Sequence, residues 1–496
     1  MFFEILHKYG AVKDNRASYD EKVSKLYDKY NIPRIEIKLD FVDSIYEEFI
    51  KSDKSLIITG SAGDGKTFIL RKIFKKLGGA EFKDGAVASG VTFVLDFTAV
   101  ENKYEILQKA KKEKYIIAAN EGILSDFEIE DDFLIKDLSK TSSAKNFSLL
   151  LDKILEYIDK YEEEKDCIIF KNIKTLKEVK SKVEDLIRMC DYNYEHVTMR
   201  RLFIFIANMI LGSKSKTLYK KCEKEDFLDS NLYSNILGEN LTSSARNKRP
   251  FEFMQMLSLG YKSSNEIDEL ILYADLKQNE EILKNHYFGL KEFYAKRDKF
   301  LENGDYSLIE EYMKFFRRHL YFKHGFNLIR YISFDEYKEL FETLKDGKKV
   351  KKSIKKEIAL ALNRLFLGSF VNERDDLFIG TSFKNSNERV ANEIIEKLDV
   401  REIDFEFVKG NDDEYGEIYL KIKNAKMLID LDIYEFFKRI ANGSLVNSFS
   451  NEFFERVMIF KSQLISEDEL ILFKVDERGR VELYELELGE DYVSLQ

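Results

Sequence analysis

Residues 60–67 read Gly60-Ser61-Ala62-Gly63-Asp64-Gly65-Lys66-Thr67. The run fits the pattern G-x-x-x-x-G-K-[ST], and both flanks suit it. An apolar strand over Leu56–Thr59 precedes it, and a helix carrying Ile69, Leu70, Ile73, Phe74 and Leu77 on one face follows. An unrelated turn matching by chance would lack both flanks. Glycines let the backbone curl so that successive N–H groups face phosphate oxygens, and the helix N-terminus adds the positive end of its dipole. Lys66 is placed to reach β- and γ-phosphates, and the Thr67 hydroxyl to ligate Mg²⁺. Ser61, Ala62, Asp64 and Phe68 complete the expected binding run.

Outward from this loop, short apolar strands over Val91–Leu95, Tyr115–Ala119 and Phe133–Ile135 alternate with helical stretches, which predicts a parallel α/β sheet. Gly78 and Gly79 end the first helix. From about 145 to 370 the pattern is mainly helical, as in Phe147–Ile158 and His196–Gly212, and only Pro33 and Pro250 interrupt the chain. Farther on, Ile403, Phe405 and Phe407 alternate with acidic residues, and Ile418, Leu420 and Ile422 with polar ones. A further hairpin is expected to turn at Glu477-Arg478-Gly479-Arg480. The fold class expected is an α/β P-loop NTPase of the AAA+-like broad class, followed by a helical region and a C-terminal α+β domain. The boundaries read as an N-terminal extension over 1–50 with a helix near Phe41–Ile50, a P-loop domain with helical lid over 51–215, a mainly helical domain over 216–370 and the α+β domain over 371–496.

Hydrolysis also requires a carboxylate near Mg²⁺ and a group that orients water. Two arrangements are open. In one, the strand ending Val94-Leu95-Asp96 presents Asp96 to the metal, and Asn120 is the water-sensing polar residue of the neighbouring strand. In the other, the strand ending Ala119-Asn120-Glu121 supplies Glu121 as catalytic base, and Asp96 lies farther from the metal or caps a turn. No glutamate directly follows Asp96. Asp137 and Ser139, after the next strand, read as loop residues. His196-Val197-Thr198-Met199-Arg200-Arg201 opens an apolar helix, and Arg200 or Arg201 there is a candidate to stabilise charge at the γ-phosphate. The plainer alternative has both arginines facing solvent or paired with an acid.

The order of the 60–67 loop, Asp96-Phe97-Thr98, Ala119-Asn120-Glu121-Gly122 and the His196–Arg201 helix start resembles the DptF family, the ATPase components of DNA phosphorothioation-dependent restriction systems. The resemblance covers about 60–212. It implies a role in bacterial anti-phage defence beside a helicase-like or nuclease subunit, responding to DNA that lacks the sulfur mark.

Composition narrows the remaining classes. Formal charge is −10, from 80 basic and 90 acidic residues, which argues against a protein that grips bare duplex DNA on its own. Cys167, Cys190 and Cys222 are too scattered for a disulfide framework, and the five histidines show no metal-ligand spacing. Reduced thiols, the absence of a membrane-spanning apolar run and an N-terminus unlike a signal peptide lead to a cytoplasmic expectation. Two basic stretches stand out. One comprises Lys348, Lys349, Lys351, Lys352, Lys355 and Lys356. The other interleaves Lys314, Arg317, Arg318, Lys323 and Arg330 with Phe315, Phe316, Tyr321 and Phe322. Both suit phosphate backbones, but a solvated lysine face over core aromatics explains them more simply. No nuclease constellation is present.

These readings converge on an ATP- and Mg²⁺-using component of a multi-subunit defence complex, with DNA reached through the complex and no membrane. The rivals are a nucleotide-sensing scaffold that does not hydrolyse and a small-molecule or nucleotide kinase using Asp96 as base. The helical and α+β portions are far larger than a kinase lid needs.

Overall fold

The computed structural model describes principally residues 1–9, 19–124, 132–212, 232–239, 250–256, 317–322, 328–369, 371–381, 390–445, 449–464 and the strands between 471 and 495. The chain divides into two compact units, Met1–Asp191 with Glu195–Arg330, and Tyr192–Tyr194 with Tyr331–Gln496.

The first unit is built on a five-stranded sheet of β1 (Ser55–Thr59), β2 (Val87–Ala88), β3 (Val91–Val94), β4 (Tyr115–Ala118) and β5 (Phe133–Asp137), in the order β2-β3-β4-β1-β5. Pairs β1–β4, β1–β5 and β3–β4 are parallel. Both faces are covered, so β1 and β4 are buried at every position rather than alternately, with apolar residues filling their middles and Ser55 and Thr59 at the two ends of β1. Leu56 and Ile58 of β1 join Phe93, Ile116 and Ala118 in one core layer. Ile57 points the other way, to Val94, Ile117, Ala119 and Phe133. The edge strand β2 is antiparallel to β3, a departure from the all-parallel expectation. Ser89 and Gly90 both have positive φ, which is the two-residue hairpin geometry that joins such strands.

Helices α1 (Phe2–Lys8), α2 (Tyr19–Tyr30) and α3 (Asp40–Lys51) precede the sheet. Helix α4 (Lys66–Lys76) follows β1, α5 (Lys103–Ala110) lies between β3 and β4, and the single turn α6 (Glu121–Leu124) follows β4. Three longer helices come next: α7 (Ser143–Tyr161), α8 (Ile168–Tyr192) and α9 (Met199–Leu211). Met1, Phe2 and Phe3 pack against this layer. The terminal ammonium of Met1 pairs with Glu162 at 2.7 Å, the Phe3 amide donates to the same carboxylate at 2.8 Å, and the Phe2 ring tilts against Tyr157.

In the second unit, β8 (Ile403–Lys409) and β9 (Gly416–Ile422) pair antiparallel, with Phe405 opposite Leu420 and Phe407 opposite Ile418, and β10 (Ala425–Leu428) extends the sheet. A second sheet runs β12-β11-β7-β6, formed by β6 (Asp376–Thr381), β7 (Val390–Asp399), β11 (Ile471–Val475) and β12 (Val481–Tyr484). The turn expected at Glu477–Arg480 lies outside the described residues, and the strands on either side of it pair antiparallel. Helices Phe334–Lys345, Lys352–Leu367 and Leu431–Ala441 belong to this unit. Buried Asn363 fixes one of them to β6, donating to the Glu373 and Asp376 carbonyls and accepting from the Phe378 amide.

Candidate functional site

The loop between β1 and α4 reverses through Gly60, Gly63 and Gly65, all with positive φ. Gly63 is constrained twice over. Its φ is +107°, and a Cβ there would sit 2.9 Å from the Arg200 Cβ. Lys66 begins α4 and turns back over the loop, donating to the Gly60 carbonyl at 2.8 Å and the Ser61 carbonyl at 2.9 Å. Burial holds its ammonium below the ordinary lysine range, opposed by the nearby Asp64, Asp96 and Asp137 carboxylates. These are the features that let a loop offer amides and one lysine to phosphate oxygens.

The loop does not hold its shape alone. Asp64 is buried behind it, where one carboxylate oxygen accepts from the Ser61 amide at 2.6 Å and the other lies 2.8 Å from His196 Nε2. A carboxylate only accepts, so Nε2 carries the proton of that bond. Arg200 donates its amide to the Gly63 carbonyl at 3.2 Å. Thr198 caps α9 by accepting from the Arg201 amide, and the Val197 amide donates to Ser143 Oγ at 3.0 Å. Ser143 is itself fixed at the start of α7, where buried Asp191 accepts from the Ser143 and Ala144 amides and from Ser142 Oγ, each at 2.9 Å. Thus the α9 start is bonded to the loop on one side and to the α7 start on the other.

A cavity of about 600 Å³ opens beside the loop, within the roughly 300–1,000 Å³ span of small-molecule and cofactor pockets. Ala62, Gly63, Gly65, Lys66, Thr67 and Phe68 line it from the loop and α4. Gly60, Ser61 and Asp64 support the loop from outside the lining. From the strand ends come Asp96 and Asn120, because β4 lies between β1 and β3 and brings both ends beside the loop. Asp96 accepts from the Thr98 amide at 2.9 Å, and Asn120 Nδ2 donates to Thr98 Oγ1 at 3.3 Å. Asp96 therefore caps a turn and faces the cavity at once. Arg200 lines the cavity and forms no ion pair among the described residues. Arg201 is exposed and off the lining, as is Glu121, which starts α6. Asp137 is taken up locally by the amide and hydroxyl of Ser139.

Sequence reasoning missed other parts of the wall: Tyr9, Val23, Ser24, Tyr27, Arg34 and Ile35 from the N-terminal residues, Arg71 from α4, and Met199 and Phe203 from α9. It also missed Asp191 and the Asp64–His196 bond. Only the acid inside the loop and the histidine at the helix start were visible in advance, and nothing local links them.

The two basic stretches differ from the cavity. Lys348, Lys351, Lys355 and Lys356 pair with Asp346, Glu339, Asp404 and Asp375. Arg318 is buried and paired with Glu239, and Tyr321 and Phe322 are core residues. Lys314, Phe315, Phe316 and Lys323 lie outside the described residues. Cys190 is buried and outside any disulfide, whereas Cys167 is disulfide-bonded, against the expectation of reduced thiols there. Among the described residues no helix is long and apolar enough to cross a membrane, and no three His, Cys, Asp or Glu residues are grouped to hold a metal ion.

The chain is similar to the protein described as "Probable ABC transporter ATP-binding protein p29" of Mesomycoplasma hyorhinis, 24% identical over 188 residues, which is 38% of this chain. The chain spans 64% of that relative's length. No family model matches the sequence, and no solved structure matches the fold. The mostly parallel sheet, its phosphate-loop motif and this distant similarity agree with an α/β P-loop architecture.

Proposed function

We propose that the chain binds ATP with Mg²⁺ in this cavity and hydrolyses it. The observation that supports this most directly is convergence: the phosphate loop, an acid at the end of β3, an amide at the end of β4 and Arg200 all line one cavity. Lys66 and the loop amides hold the β- and γ-phosphates. The Thr67 hydroxyl and Asp96 carboxylate are oxygen donors suited to a hard cation, and would hold Mg²⁺, which neutralises phosphate charge when bound. Asn120 orients the attacking water, and Arg200 answers the charge that develops on the transferred group. The name of the similar protein favours ATP as the nucleotide. ATP turnover by the wild type, lost in Lys66→Ala and Asp96→Asn, tests the assignment, and turnover in Glu121→Gln separates the two acid arrangements.

At the level of biology, the reading is an ATPase component of a phosphorothioation-dependent anti-phage restriction system, working with helicase-like or nuclease subunits and meeting DNA through them. Its support is the ordered run of motifs between 60 and 212. Duplex DNA that leaves turnover unchanged, with no partner subunit recovered from the native host, would remove that support. One observation favours a second reading, a nucleotide-sensing scaffold: no glutamate follows Asp96, and Glu121 is off the cavity wall. ATP binding without turnover in any condition would select it.

A further inference from the structure

The cavity has a second wall that the phosphate chemistry does not use. Tyr9, Val23, Ser24, Tyr27, Arg34 and Ile35 form it from the N-terminal residues, together with Phe203 of α9. The Tyr9 ring stacks on Phe203, with centroids 4.7 Å apart and planes 20° from parallel. The Arg34 guanidinium bonds to Ser24 Oγ, and the Arg34 carbonyl accepts from Tyr157 of α7 at 3.2 Å. With α1 held by Glu162, these residues belong to the packed unit.

Tyr27 is the unusual member. It is 3% exposed, and its hydroxyl has no hydrogen-bond partner. The Tyr9 phenol and the Ile35 backbone lie beside it, and burial pushes its ionisation well up, so it remains a neutral donor and acceptor. A buried polar group without a partner costs stability, and such groups are ordinarily satisfied. Here the orphan lines a cavity that also carries the phosphate loop.

We infer that this wall is the nucleobase subsite: the Tyr9–Phe203 plate supplies aromatic surface to the base, and the Tyr27 hydroxyl supplies its hydrogen bond. The inference rests on the nucleotide reading above and deepens it, because it makes the N-terminal residues the part of the protein that distinguishes a nucleotide from bare polyphosphate. Aromatic faces stack on any base, so the plate contributes affinity, and the single hydroxyl contributes orientation.

The test compares binding of Mg·ATP and Mg·inorganic triphosphate to the full chain by calorimetry, in wild type, Tyr27→Phe, Tyr9→Leu and Lys66→Ala. Tyr27→Phe is expected to weaken ATP roughly three- to tenfold, and Tyr9→Leu roughly tenfold or more, with triphosphate affinity unchanged in both. Lys66→Ala is expected to weaken both ligands. Removing an orphan hydroxyl should leave the ligand-free melting temperature of Tyr27→Phe equal to wild type or higher. Equal ATP affinity in wild type and both tyrosine variants overturns the subsite while leaving the phosphate site standing. So does a parallel loss of triphosphate binding with a lowered melting temperature, which marks a structural role. Wild type that binds neither ligand overturns the nucleotide reading, and this inference with it.

Discussion

Lys66 and Arg200 at the cavity and four lysines of the 348–356 stretch meet opposite surroundings. Lysines 348, 351, 355 and 356 each sit beside a carboxylate of their own chain. Lys66 spends its protons on two backbone carbonyls, and Arg200 reaches the cavity wall with no ion pair among the described residues. A cation already answered by a protein carboxylate has little to gain from a phosphate, since binding must first break the pair. A cation hydrogen-bonded to neutral carbonyls, with carboxylates near but not paired to it, keeps its donors for an incoming anion. Lysine density in the sequence does not by itself mark a phosphate-facing stretch, because the counter-charge beside each lysine also counts.

The largest effect that tests this contrast belongs to Lys66→Ala. Its loss should lower ATP turnover by on the order of 10²–10³, the scale of removing a preorganised charge donor from a site where charge develops. Turnover kinetics with saturating Mg·ATP would show it, and a loss under tenfold would mean that the lysine is not the cavity's principal cation. Gly63→Ala comes next. Its φ and the 2.9 Å approach to Arg200 cannot both survive a methyl group, so the loop must leave the α9 start. A destabilisation of about 1–3 kcal/mol in denaturant titrations is expected, together with lost turnover. Asp191→Ala should cost a similar amount, about 1–3 kcal/mol, by leaving the first amides of α7 without acceptors. It should also weaken nucleotide binding, because Ser143 then no longer fixes Val197 and the His196–Arg200 segment against the loop. Unaltered binding in that variant would show that the brace does not act on the site.

These sites were not equally legible in the sequence. The phosphate loop is, because its chemistry is carried by eight contiguous residues and the strand and helix beside them. Arg200 is partly legible, since a helix start is a local signal, but its neighbour Arg201 carries the same signal and the helix turns it to solvent. The Asp64–His196 bond spans 132 residues, and the wall carrying Tyr9 and Tyr27 is assembled by packing α1 against α7 and α9. Periodicity reports which face of a helix is buried, and says nothing of which distant helix it meets. The acid assignment stayed open for the same reason: only the strand order, with β4 between β1 and β3, places Asp96 and Asn120 together and leaves Glu121 at the exposed start of α6.

Acidity gives a smaller but sharper probe of the cavity side. Burial lowers the Lys66 ionisation, so its proton leaves at a pH below the ordinary lysine range of about 10.4. The charged form is the one that attracts phosphate. ATP affinity should therefore be full near neutrality and fall as pH rises through the lowered value, with protons taken up on binding in that window. Calorimetry of Mg·ATP binding in buffers of different ionisation enthalpy would detect the uptake, and Lys66→Ala should abolish it.

The smallest expected effect belongs to the other side of the comparison. Lys351→Gln with Lys355→Gln removes two cations whose partners, Glu339 and Asp404, are largely exposed. Exposed pairs contribute little, and here the carboxylates can be resolvated, so the melting temperature should hardly move. If the stretch merely balances its own acids, duplex DNA binding by the variant should match wild type at every salt concentration. A reduced slope of affinity against salt would instead count these lysines among the groups that neutralise phosphates, since each phosphate no longer neutralised takes about one counterion out of the exchange. That outcome would reverse the contrast, by making paired lysines on the second unit the DNA-facing surface and confining the cavity's cations to nucleotide.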